Sequence, residues 1–473
     1  MNYSKELSKP IFKIIQTVSD ELNYQTYVVG GWVRDLLLNR TQQKTDIDFV
    51  CIGSGITLAK KVYAKIGKNA KLSIYKNFGT ALITVNGENY EFVGARKESY
   101  RKTSRKPIVE TGTLEDDQKR RDFTINAMYI NLNTNNYGKL LDPFNGQKHL
   151  QERKIKTPLK PNKTYHDDPL RMMRAIRFAT QLNFKIEENS YFAIKKNCER
   201  LSIISQERIT EELNKIILSK TPSLGFKMLF ETNLLHQFFK DFVQLKGVEI
   251  VGKHEHKDNF DHTIKVLDNI SLKTDNLWLR WAAILHDIAK PLTKRYDKVH
   301  GWTFHSHEFV GSKMIPKIFK KLKLPLNEKM RYVQKLVMLH LRPIALSKKI
   351  VTDSAIRRLL FDAGNDIDDL MLLCDADITS KNPNKIKRYL QNFQLVRKKL
   401  KVVEEKDQIR NFQPPINGME IMKAFNIKEG KEIGIIKNAI KDAILDGKIK
   451  NDKEEAFAYM VKKAKKIDLF LKK

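Results

Sequence analysis

Residues 27–50 of this chain read YVVGGWVRDLLLNRTQQKTDIDFV. Residues 27–29 form a short apolar run typical of a β-strand, and Gly30 and Gly31 end it. Two glycines allow the backbone to approach a bulky ligand closely. Residues 32–38 predict a helix. A glycine turn before a helix N-terminus favours bound phosphate, because free N–H groups and the helix dipole attract an anion.

A pair of carboxylates follows in the segment DIDFV, residues 46–50. Residues two apart on a strand point to the same face, so Asp46 and Asp48 are expected side by side, with Ile47 and Phe49 facing a core. Two such charges need a cation between them, and oxygen ligands suit Mg²⁺ bound together with substrate phosphates. After a phosphate-binding turn, the pair predicts metal-assisted nucleotidyl transfer. On its own, the pair would more often be a polar turn before an edge strand.

The composition describes a basic chain of several domains. Its 473 residues suggest about three domains, and 87 Lys and Arg against 55 Asp and Glu give a net charge of +32. This charge predicts a polyanionic partner, and nucleic acid is the first candidate. One alternative is an anionic membrane; the other is that the lysine content only reflects the composition usual in the lineage. No long apolar run, signal peptide or lipidation motif is evident, so we expect no membrane partner. Three isolated cysteines (Cys51, Cys198 and Cys374) fit a reducing cytoplasm and offer no zinc framework.

The rest of the first domain contains further strand and helix patterns. Residues 5–23 and 58–66 predict helices, and residues 80–85 and 90–93 predict a hairpin around Asn86-Gly87. Glu91 lies on its second strand, where it is either a third metal-site carboxylate or a solvent-facing residue. We expect residues 94–119, which are polar and rich in both charges, to form a mobile loop.

Two arginines precede an aspartate in KRRDFTINAM, residues 119–128. Arg121 beside Asp122 suits phosphate or sugar hydroxyls, because arginine carries a permanent, forked charge. A capped helix start with an Arg–Asp pair is the structural alternative. The turn DPFNG, residues 142–146, ends the domain.

A helix is predicted from DDPLRMMRAIRFA, residues 167–179, where the aspartates cap it and Pro169 fits its first turn. One face of this helix carries Arg171, Arg174 and Arg177, because residues three apart are neighbours on a helix surface. With Asp168 at its start, the face offers donors and acceptors for Watson–Crick edges without a template. The alternative is a solvated basic face.

These motifs, in this order, resemble the class II tRNA nucleotidyltransferase and poly(A) polymerase family over residues of about 20 to 240. The resemblance implies addition of CCA to tRNA 3′ ends from CTP and ATP, with tRNA as partner and Mg²⁺ on the catalytic Asp46 and Asp48. It implies that Asp168 and Arg171 read the incoming base, and Asp167 replaces a more usual glutamate. The residues assigned to nucleotide binding, by the resemblance and the glycine turn, are Gly30, Gly31, Arg34, Arg121, Asp122, Asp168, Arg171, Arg174 and Arg177.

A second constellation lies between residues 251 and 380. His262, the doublet His286-Asp287 within an apolar helix, and a distant Asp377 resemble the HD superfamily of metal-dependent phosphohydrolases. A buried HD doublet is costly unless it is paired or binds a metal. Asp375 is a weaker candidate than Asp377, and the metal is a divalent ion of open identity. His307 and His340 are candidates for a second metal.

Two alternatives remain open for this constellation: a histidine-rich structural domain, and an HD domain that binds tRNA without hydrolysis. The basic tail is predicted to be helical, with patterns at 385–406, 418–425, 431–445 and 453–465, and to contact tRNA phosphates. A solvent-facing charged hairpin is its alternative.

The predicted fold is a multidomain α+β protein: a nucleotidyltransferase head with a small mixed β-sheet (1–147), an all-α neck that reads the nucleobase (148–250), an HD domain (251–380) and a helical tail (381–473). The predicted activity is CCA addition with a second phosphohydrolase activity. The alternatives are a poly(A) polymerase, and an HD phosphohydrolase with an RNA-binding head. Because residues 94–119 contain no clean basic-x-basic-x-x-acid pattern, CC-only or other partial addition also stays open.

Overall fold

The computed structural model describes residues 2–40, 46–67, 69–101, 104–251, 254–255, 258–346, 352–380, 382–410 and 412–471. The chain divides into two compact units, Met1–Lys240 and Asp241–Lys473. A small mixed sheet near the N-terminus and many helices after it confirm the predicted multidomain α+β class. The predicted boundaries at 147, 250 and 380 stay a prediction. Among the described helices, none has both the length and the apolar character needed to cross a bilayer.

The sheet region of the first unit runs from the N-terminus to residue 141. Its elements are α1 (Pro10–Glu21), β1 (Thr26–Val29), α2 (Gly31–Leu37), β2 (Asp46–Cys51), α3 (Gly55–Ile66), β3 (Ala70–Tyr75), β4 (Thr80–Val85), β5 (Glu88–Gly94), β6 (Arg96–Arg101), β7 (Ser104–Thr111), α4 (Leu114–Lys119), β8 (Tyr129–Asn131) and β9 (Leu140–Leu141).

Seven of these strands form one sheet in the order β3-β4-β5-β2-β1-β8-β9. Only β2 and β5 pair in parallel; the other neighbours are antiparallel. The core lies against the face of β2 that carries Ile47 and Phe49, which are 0% and 1% exposed. Phe12 of α1 packs edge-on against Phe49. The opposite face of β2 therefore presents Asp46 and Asp48.

The chain patterns predicted most of these elements, and two predictions were wrong. The first helix begins at Pro10 rather than residue 5, because proline fits the first helical position, where no N–H is needed. Residues 94–119 form no simple loop: β6 and β7 pair as a separate two-stranded sheet, and α4 follows behind a capping box of Thr113 and Asp116. Because β6 and β7 pair with each other in a separate sheet, they need no apolar face that packs against the main sheet. Their sequence can therefore be polar throughout, which is why it was interpreted as a loop.

Helices dominate the remainder of the first unit. They are, with one short strand pair, α5 (Gly146–Gln151), β10 (Lys154–Ile155), α6 (Pro161–Asp167), α7 (Leu170–Leu182), β11 (Lys185–Ile186), α8 (Glu188–Asn197), α9 (Gln206–Ile217), α10 (Pro222–Glu231) and α11 (Leu234–Phe238). The parallel pair of β10 and β11 departs from the predicted all-α neck. Strands of two residues are too short to leave a periodic pattern.

The second unit is also mainly helical. From the boundary onward the chain forms α12 (Lys240–Val243), β12 (Ile250–Val251), β13 (His254–Glu255), α13 (Asn259–Ser271), α14 (Leu277–Leu285), α15 (Lys290–Thr293), β14 (Arg295–Asp297), β15 (Gly301–Thr303), α16 (His307–Lys321), α17 (Glu328–Leu339), α18 (Leu341–Leu346), α19 (Asp353–Ala363), α20 (Ile367–Ala376), α21 (Pro383–Asp407), α22 (Gly418–Phe425), α23 (Lys431–Leu445) and α24 (Lys453–Ala464). The helices predicted in the tail are confirmed.

Candidate active sites

The turn between β1 and α2 lies directly against the carboxylate pair. Gly30 has a φ of +82°, and a Cβ built on it would lie 3.1 Å from Oδ2 of Asp48. Val29, the last residue of β1, pairs with Asp48 across the antiparallel ladder. The register of the two strands thus brings the glycine turn to the predicted metal ligands, and a side chain at Gly30 would enter their space.

Asp48 is a half-buried carboxylate beside other acids. Burial raises the pKa of Asp48 to about 6, Arg121 opposes the shift, and Glu91 and Asp46 add to it. Glu91, whose role the sequence left open, stands next to Asp48 in the parallel register of β2 and β5. Three carboxylates from adjacent positions accumulate negative charge, which a bound cation would neutralise. This donor set of hard oxygens fits the predicted metal.

A cavity of about 380 Å³ opens beside these acids. Asp48 and Glu91 line one part of it, and Arg96, Arg120 and Arg121 bring cations to the same space. Arginine binds phosphate oxygens through paired N–H groups. The cavity therefore combines the side chains that a nucleoside triphosphate and its metal require. Arg96 and Arg120 were not among the predicted nucleotide-binding residues.

Arg121 is held by a residue that the sequence analysis missed. Asp117 is 0% exposed. Its carboxylate accepts hydrogen bonds from Arg121, from Nε of Arg120 at 2.8 Å and from the Tyr129 hydroxyl at 2.7 Å. Although burial opposes it, Arg121 and Arg120 lower the pKa of Asp117 to about 2, so the group is charged at neutral pH. Asp117 orients two arginines of the cavity.

Arg34 and Asp122 belong to a second buried network. The guanidinium of Arg34 donates to both carboxylate oxygens of Asp35, at 2.9 and 2.8 Å, and to Oδ1 of Asn126 at 3.0 Å. Asp122 accepts from Asn126 at 3.0 Å and from Nε and Nη2 of Arg174 at 2.8 and 2.7 Å. Although burial opposes it, Arg174 lowers the pKa of Asp122 to about 2. The predicted contacts of Arg34 and Asp122 with the nucleotide stay predictions.

The arginines along α7 differ in their surroundings. Arg174 pairs with Asp122, and Arg177 donates from Nε to Glu212 at 2.5 Å. Arg171, at the half-exposed start of the helix, donates from Nη2 to the carbonyl oxygen of Arg120 at 2.6 Å. The structure thus joins Arg171 to the chain segment that lines the cavity, whereas Arg174 and Arg177 serve buried ion pairs.

The predicted caps of α7 are only partly realised. Oδ1 of Asp168 accepts from the N–H of Leu170 at 3.2 Å. Asp167 instead ends α6, and its carboxylate lies 4.0 Å from Nδ1 of His166. Asp168 and Arg171 remain half-exposed within the same helical turn. They present an acceptor and donors together, as base reading requires.

The second unit contains the histidine and aspartate cluster. His262 lies at the start of α13, and the doublet of His286 and Asp287 follows α14. Nε2 of His262 is 2.9 Å from Oδ1 of Asp377 and 3.4 Å from Oδ2 of Asp287. Nε2 of His286 is 3.2 Å from the same Oδ2 of Asp287. These four predicted ligands therefore converge on one point.

His307 and His340 extend the cluster on the other side of Asp287. Nε2 of His307 is 3.2 Å from Oδ1 of Asp287 and 3.3 Å from Nε2 of His340. The ligand atoms of these three residues form a second group of metal-binding size. Asp287 thus contributes one carboxylate oxygen to each group.

Hydrogen bonds at the far side of each ring show that the cluster fits metal ions. Nδ1 of His286, His307 and His340 contacts a backbone carbonyl oxygen at 2.8, 2.7 and 2.6 Å. A neutral ring that donates there turns the lone pair of Nε2 inward. Burial and the neighbouring His286 lower the pKa of His340 to about 4, so that ring is neutral. Although burial opposes it, Asp287 and Asp377 raise the pKa of His286 to about 10, so this ring is the protonated one. Its Nε2 is buried without a hydrogen bond of acceptable geometry, and a bound cation would replace its proton.

Asp375 belongs to a different interaction. Its carboxylate oxygens accept from Nη1 and Nη2 of Arg397, at 3.2 and 2.8 Å. Asp377 instead faces His262. The structure therefore separates the two aspartates of the DAD sequence: Asp375 forms an ion pair with α21, and Asp377 faces the cluster.

Comparisons with known proteins identify three segments. Family models match residues 26–156 as a poly A polymerase head domain, residues 183–245 as a probable RNA and SrmB-binding site of polymerase A, and residues 259–382 as an HD domain. Both the nucleotidyltransferase and the HD families are metal-dependent.

Individual relatives agree with this assignment. The chain is 37% identical over 223 residues to a CCA-adding enzyme of Lactobacillus helveticus, and the aligned region covers 47% of this chain and 53% of that protein. It is 40% identical over 172 residues to an A-adding tRNA nucleotidyltransferase of Aquifex aeolicus, covering 36% and 20%. The Bacillus stearothermophilus CCA-adding enzyme in complex with CTP shares the fold, with a TM-score of 0.67, 23% identity and coverage of 97% and 99%. The chain thus spans about half the length of its first curated relative.

Proposed function

Because this chain belongs to the poly(A) polymerase and tRNA nucleotidyltransferase family and carries an HD domain, we propose that it adds CCA to the 3′ end of tRNA from CTP and ATP, without a template. The observation that carries the proposal is the cavity that Asp48 and Glu91 line together with Arg120 and Arg121. The net charge of +32 supports a polyanionic substrate. We place this reaction in the cytoplasm.

In the reaction, the 3′-hydroxyl oxygen of the RNA attacks the α-phosphorus of the nucleoside triphosphate, and pyrophosphate leaves. Asp46 and Asp48 would hold Mg²⁺, which lowers the proton affinity of the hydroxyl and neutralises charge on the phosphates. Arg121 and Arg120 bind phosphate oxygens. The open turn at Gly30 keeps space for the triphosphate next to Asp48.

Base selection falls to the start of α7. Asp168 accepts from a base amino group, and Arg171 donates to a ring nitrogen or carbonyl. A wrong base leaves these partners unpaired, at a cost of about 1–3 kcal/mol per group. Arg174 and Arg177 support this helix through Asp122 and Glu212.

A second candidate activity, hydrolysis of phosphate esters, is favoured by the HD cluster. Water would form the new oxygen–phosphorus bond, the ester oxygen–phosphorus bond would break, and the leaving alcohol would take the proton. His262, His286 and Asp287 would hold one divalent ion, and Asp287, His307 and His340 another. Asp377, whose Oδ1 is 2.9 Å from Nε2 of His262, would complete the first set. Mixed imidazole and carboxylate donors suit a transition metal.

A gel assay tests the proposal. Purified protein receives tRNAs that end before CCA, after C and after CC, with Mg²⁺ and with CTP, ATP or both. We expect each tRNA to be completed to one CCA. A long run of A would establish a poly(A) polymerase instead, a stop after CC or addition of A alone would establish partial specificity, and no extension would contradict the proposal.

Two variants separate the activities. Asp48→Asn is expected to abolish nucleotide addition and leave phosphate-ester hydrolysis intact. His286→Ala is expected to do the reverse. If either change removed both activities while the protein stayed folded by circular dichroism, the assignment of two independent sites would fail.

A further inference from the structure

A cavity of about 300 Å³ lies beside the HD cluster within the second unit. His262 and Asp377, two residues of the cluster, line one end of it. Thr379 also lines it, and its hydroxyl contacts Nδ1 of His262 at 2.8 Å. The cavity volume falls in the range of small-molecule binding sites. A molecule in this cavity would therefore touch the residues proposed to hold a metal.

Three further lining side chains come from α21, which begins at Pro383, directly after the segment that the HD family model matches ends at residue 382. Lys385, Tyr389 and Phe393 stand at successive turns of this helix and line the cavity. Spacing of four residues places them on one face. Ile344, Cys374, Ile378 and Ser380 complete the lining. The first helix of the tail thus forms one wall of the cavity.

The chemistry of this wall selects a class of ligand. Lys385 provides a positive charge for a phosphate, and the two aromatic rings of Tyr389 and Phe393 offer faces or edges to a planar ring. Phe393 lines the cavity and is 2% exposed, whereas Tyr389 is half-buried and accessible to a ligand. A phosphate monoester with an aromatic or heterocyclic group matches both features.

We propose that α21 completes the HD site and that Lys385 and Tyr389 bind its substrate, an aromatic phosphate ester such as a nucleoside monophosphate. The phosphate faces the cluster and Lys385, and the planar ring packs against Tyr389. This inference rests on the proposed phosphohydrolase function of the same cluster. It assigns to the tail helix a role in substrate specificity, in addition to any contact with RNA.

Two variants of the full chain test the proposal, with adenosine 3′-monophosphate and glycerol 2-phosphate as substrates. Tyr389→Ala should raise the KM for adenosine monophosphate about tenfold and leave that for glycerol phosphate unchanged, because the base loses its stacking partner and glycerol has no ring to stack. Tyr389→Phe should restore the KM. Lys385→Ala should raise the KM for both substrates.

Matched controls come from the same helix. Lys387→Ala removes the same charge, and Leu390→Ala truncates the neighbour of Tyr389; neither residue lines the cavity. Both controls should keep the KM values of the unaltered chain. The metal content of all variants should be unchanged, since neither Lys385 nor Tyr389 belongs to the cluster. Equal effects of Lys385→Ala and Lys387→Ala would overturn the role of Lys385.

A binding measurement keeps this test independent of hydrolysis. Equilibrium dialysis of the metal-free full chain with adenosine 3′-monophosphate should show about tenfold weaker binding at one site in Tyr389→Ala than in the unaltered chain. Any nucleotide that binds to the head binds equally to both proteins and does not contribute to this difference. If the unaltered chain hydrolyses neither ester yet shows this difference, the phosphohydrolase proposal fails and the binding site stands. Equal binding by the two proteins would overturn the binding site, whatever the hydrolysis.

Discussion

Asp117 binds Arg121 through two hydrogen bonds to a single oxygen, from Nε at 3.1 Å and from Nη2 at 3.0 Å. The remaining nitrogen of the guanidinium, Nη1, lies 3.9 Å from the position of a Cβ on Gly30, beside Asp48. The buried carboxylate therefore fixes one side of the arginine and leaves the other directed at the metal site. Asp117 is a positioning residue for a phosphate-binding arginine.

Replacing Asp117 with Asn should weaken nucleotide addition. Asn keeps the shape but removes the charge that orients Arg121, so we expect kcat/KM for the nucleotide to fall about 100-fold. The KM for tRNA should not change, which separates positioning from general damage. Loss of one partner of a buried pair should also lower the free energy of unfolding by about 3 kcal/mol; rates are therefore measured well below the melting temperature.

Glu115→Gln is the control for that change, because it removes the same charge from α4. The Glu115 side chain is 70% exposed and pairs with Lys119. We expect its kcat/KM and its melting temperature to match those of the unaltered protein. A nucleotide-specific loss of equal size in both variants would contradict the positioning role of Asp117.

Gly30→Ala should abolish nucleotide addition by placing a methyl group 3.1 Å from Oδ2 of Asp48. Gly87→Ala is a close control, since Gly87 has a φ of +81° and no atom within 4 Å of its added Cβ. Both changes place a Cβ at a positive φ, but Gly30 also has a ψ of −137°, in a region that alanine rarely adopts. Denaturant unfolding should therefore show a loss of about 1 kcal/mol for Gly87→Ala and a larger loss for Gly30→Ala, whereas primer extension, measured where both proteins are folded, should be lost only in Gly30→Ala. An active Gly30→Ala protein would show that the turn tolerates a side chain next to the metal ligands.

The order of the elements was predictable where a local pattern determines the geometry. The i, i+2 rule placed Asp46 and Asp48 on one face of β2 before the sheet was known, and the burial of Ile47 and Phe49 confirms that face. The HD doublet was predictable because His and Asp at the end of an apolar helix need a partner. These signals depend on neighbouring residues alone.

Long-range partners were not predictable from such signals. Asp117 lies in the charged segment EDDQKRRD, where nothing local distinguishes a buried carboxylate from exposed ones. Its burial follows from the contact with Tyr129 on β8. Likewise, the spacing of Arg171 and Arg174 is the same as that of Arg174 and Arg177. Only the position of Asp122 and Glu212 in the fold shows which arginines are already paired.

This difference along α7 leads to opposite predictions for two neighbouring arginines. Arg171→Ala should change the ratio of kcat/KM for CTP and ATP about tenfold, because a base-reading donor is lost, and should cost about 1 kcal/mol of unfolding free energy. Arg174→Ala leaves the buried Asp122 unpaired and should cost about 3 kcal/mol. Single-nucleotide incorporation and urea unfolding measure the two effects. An unchanged base preference in Arg171→Ala would count against its proposed role.

The two aspartates of the DAD sequence should differ in metal binding. Asp377→Asn removes a charged oxygen that lies 2.9 Å from Nε2 of His262, so the purified protein should lose one divalent ion. Asp375→Asn weakens the ion pairs with Arg397 and Lys273 and should keep the metal content of the unaltered chain. Elemental analysis by mass spectrometry after dialysis measures both.

Removal of the metal should in turn lower the stability of the second unit, because an ion that binds only the folded state stabilises that state by mass action. At a free ion concentration of a hundred times Kd, this stabilisation is about 2.7 kcal/mol. A chelator should therefore lower the melting temperature of the unaltered protein and of Asp375→Asn, and should have less effect on Asp377→Asn, which already lacks an ion. The opposite order, with Asp375→Asn insensitive and Asp377→Asn sensitive, would move the ligand role from Asp377 to Asp375. Equal metal content and equal shifts in all three proteins would exclude both aspartates as ligands.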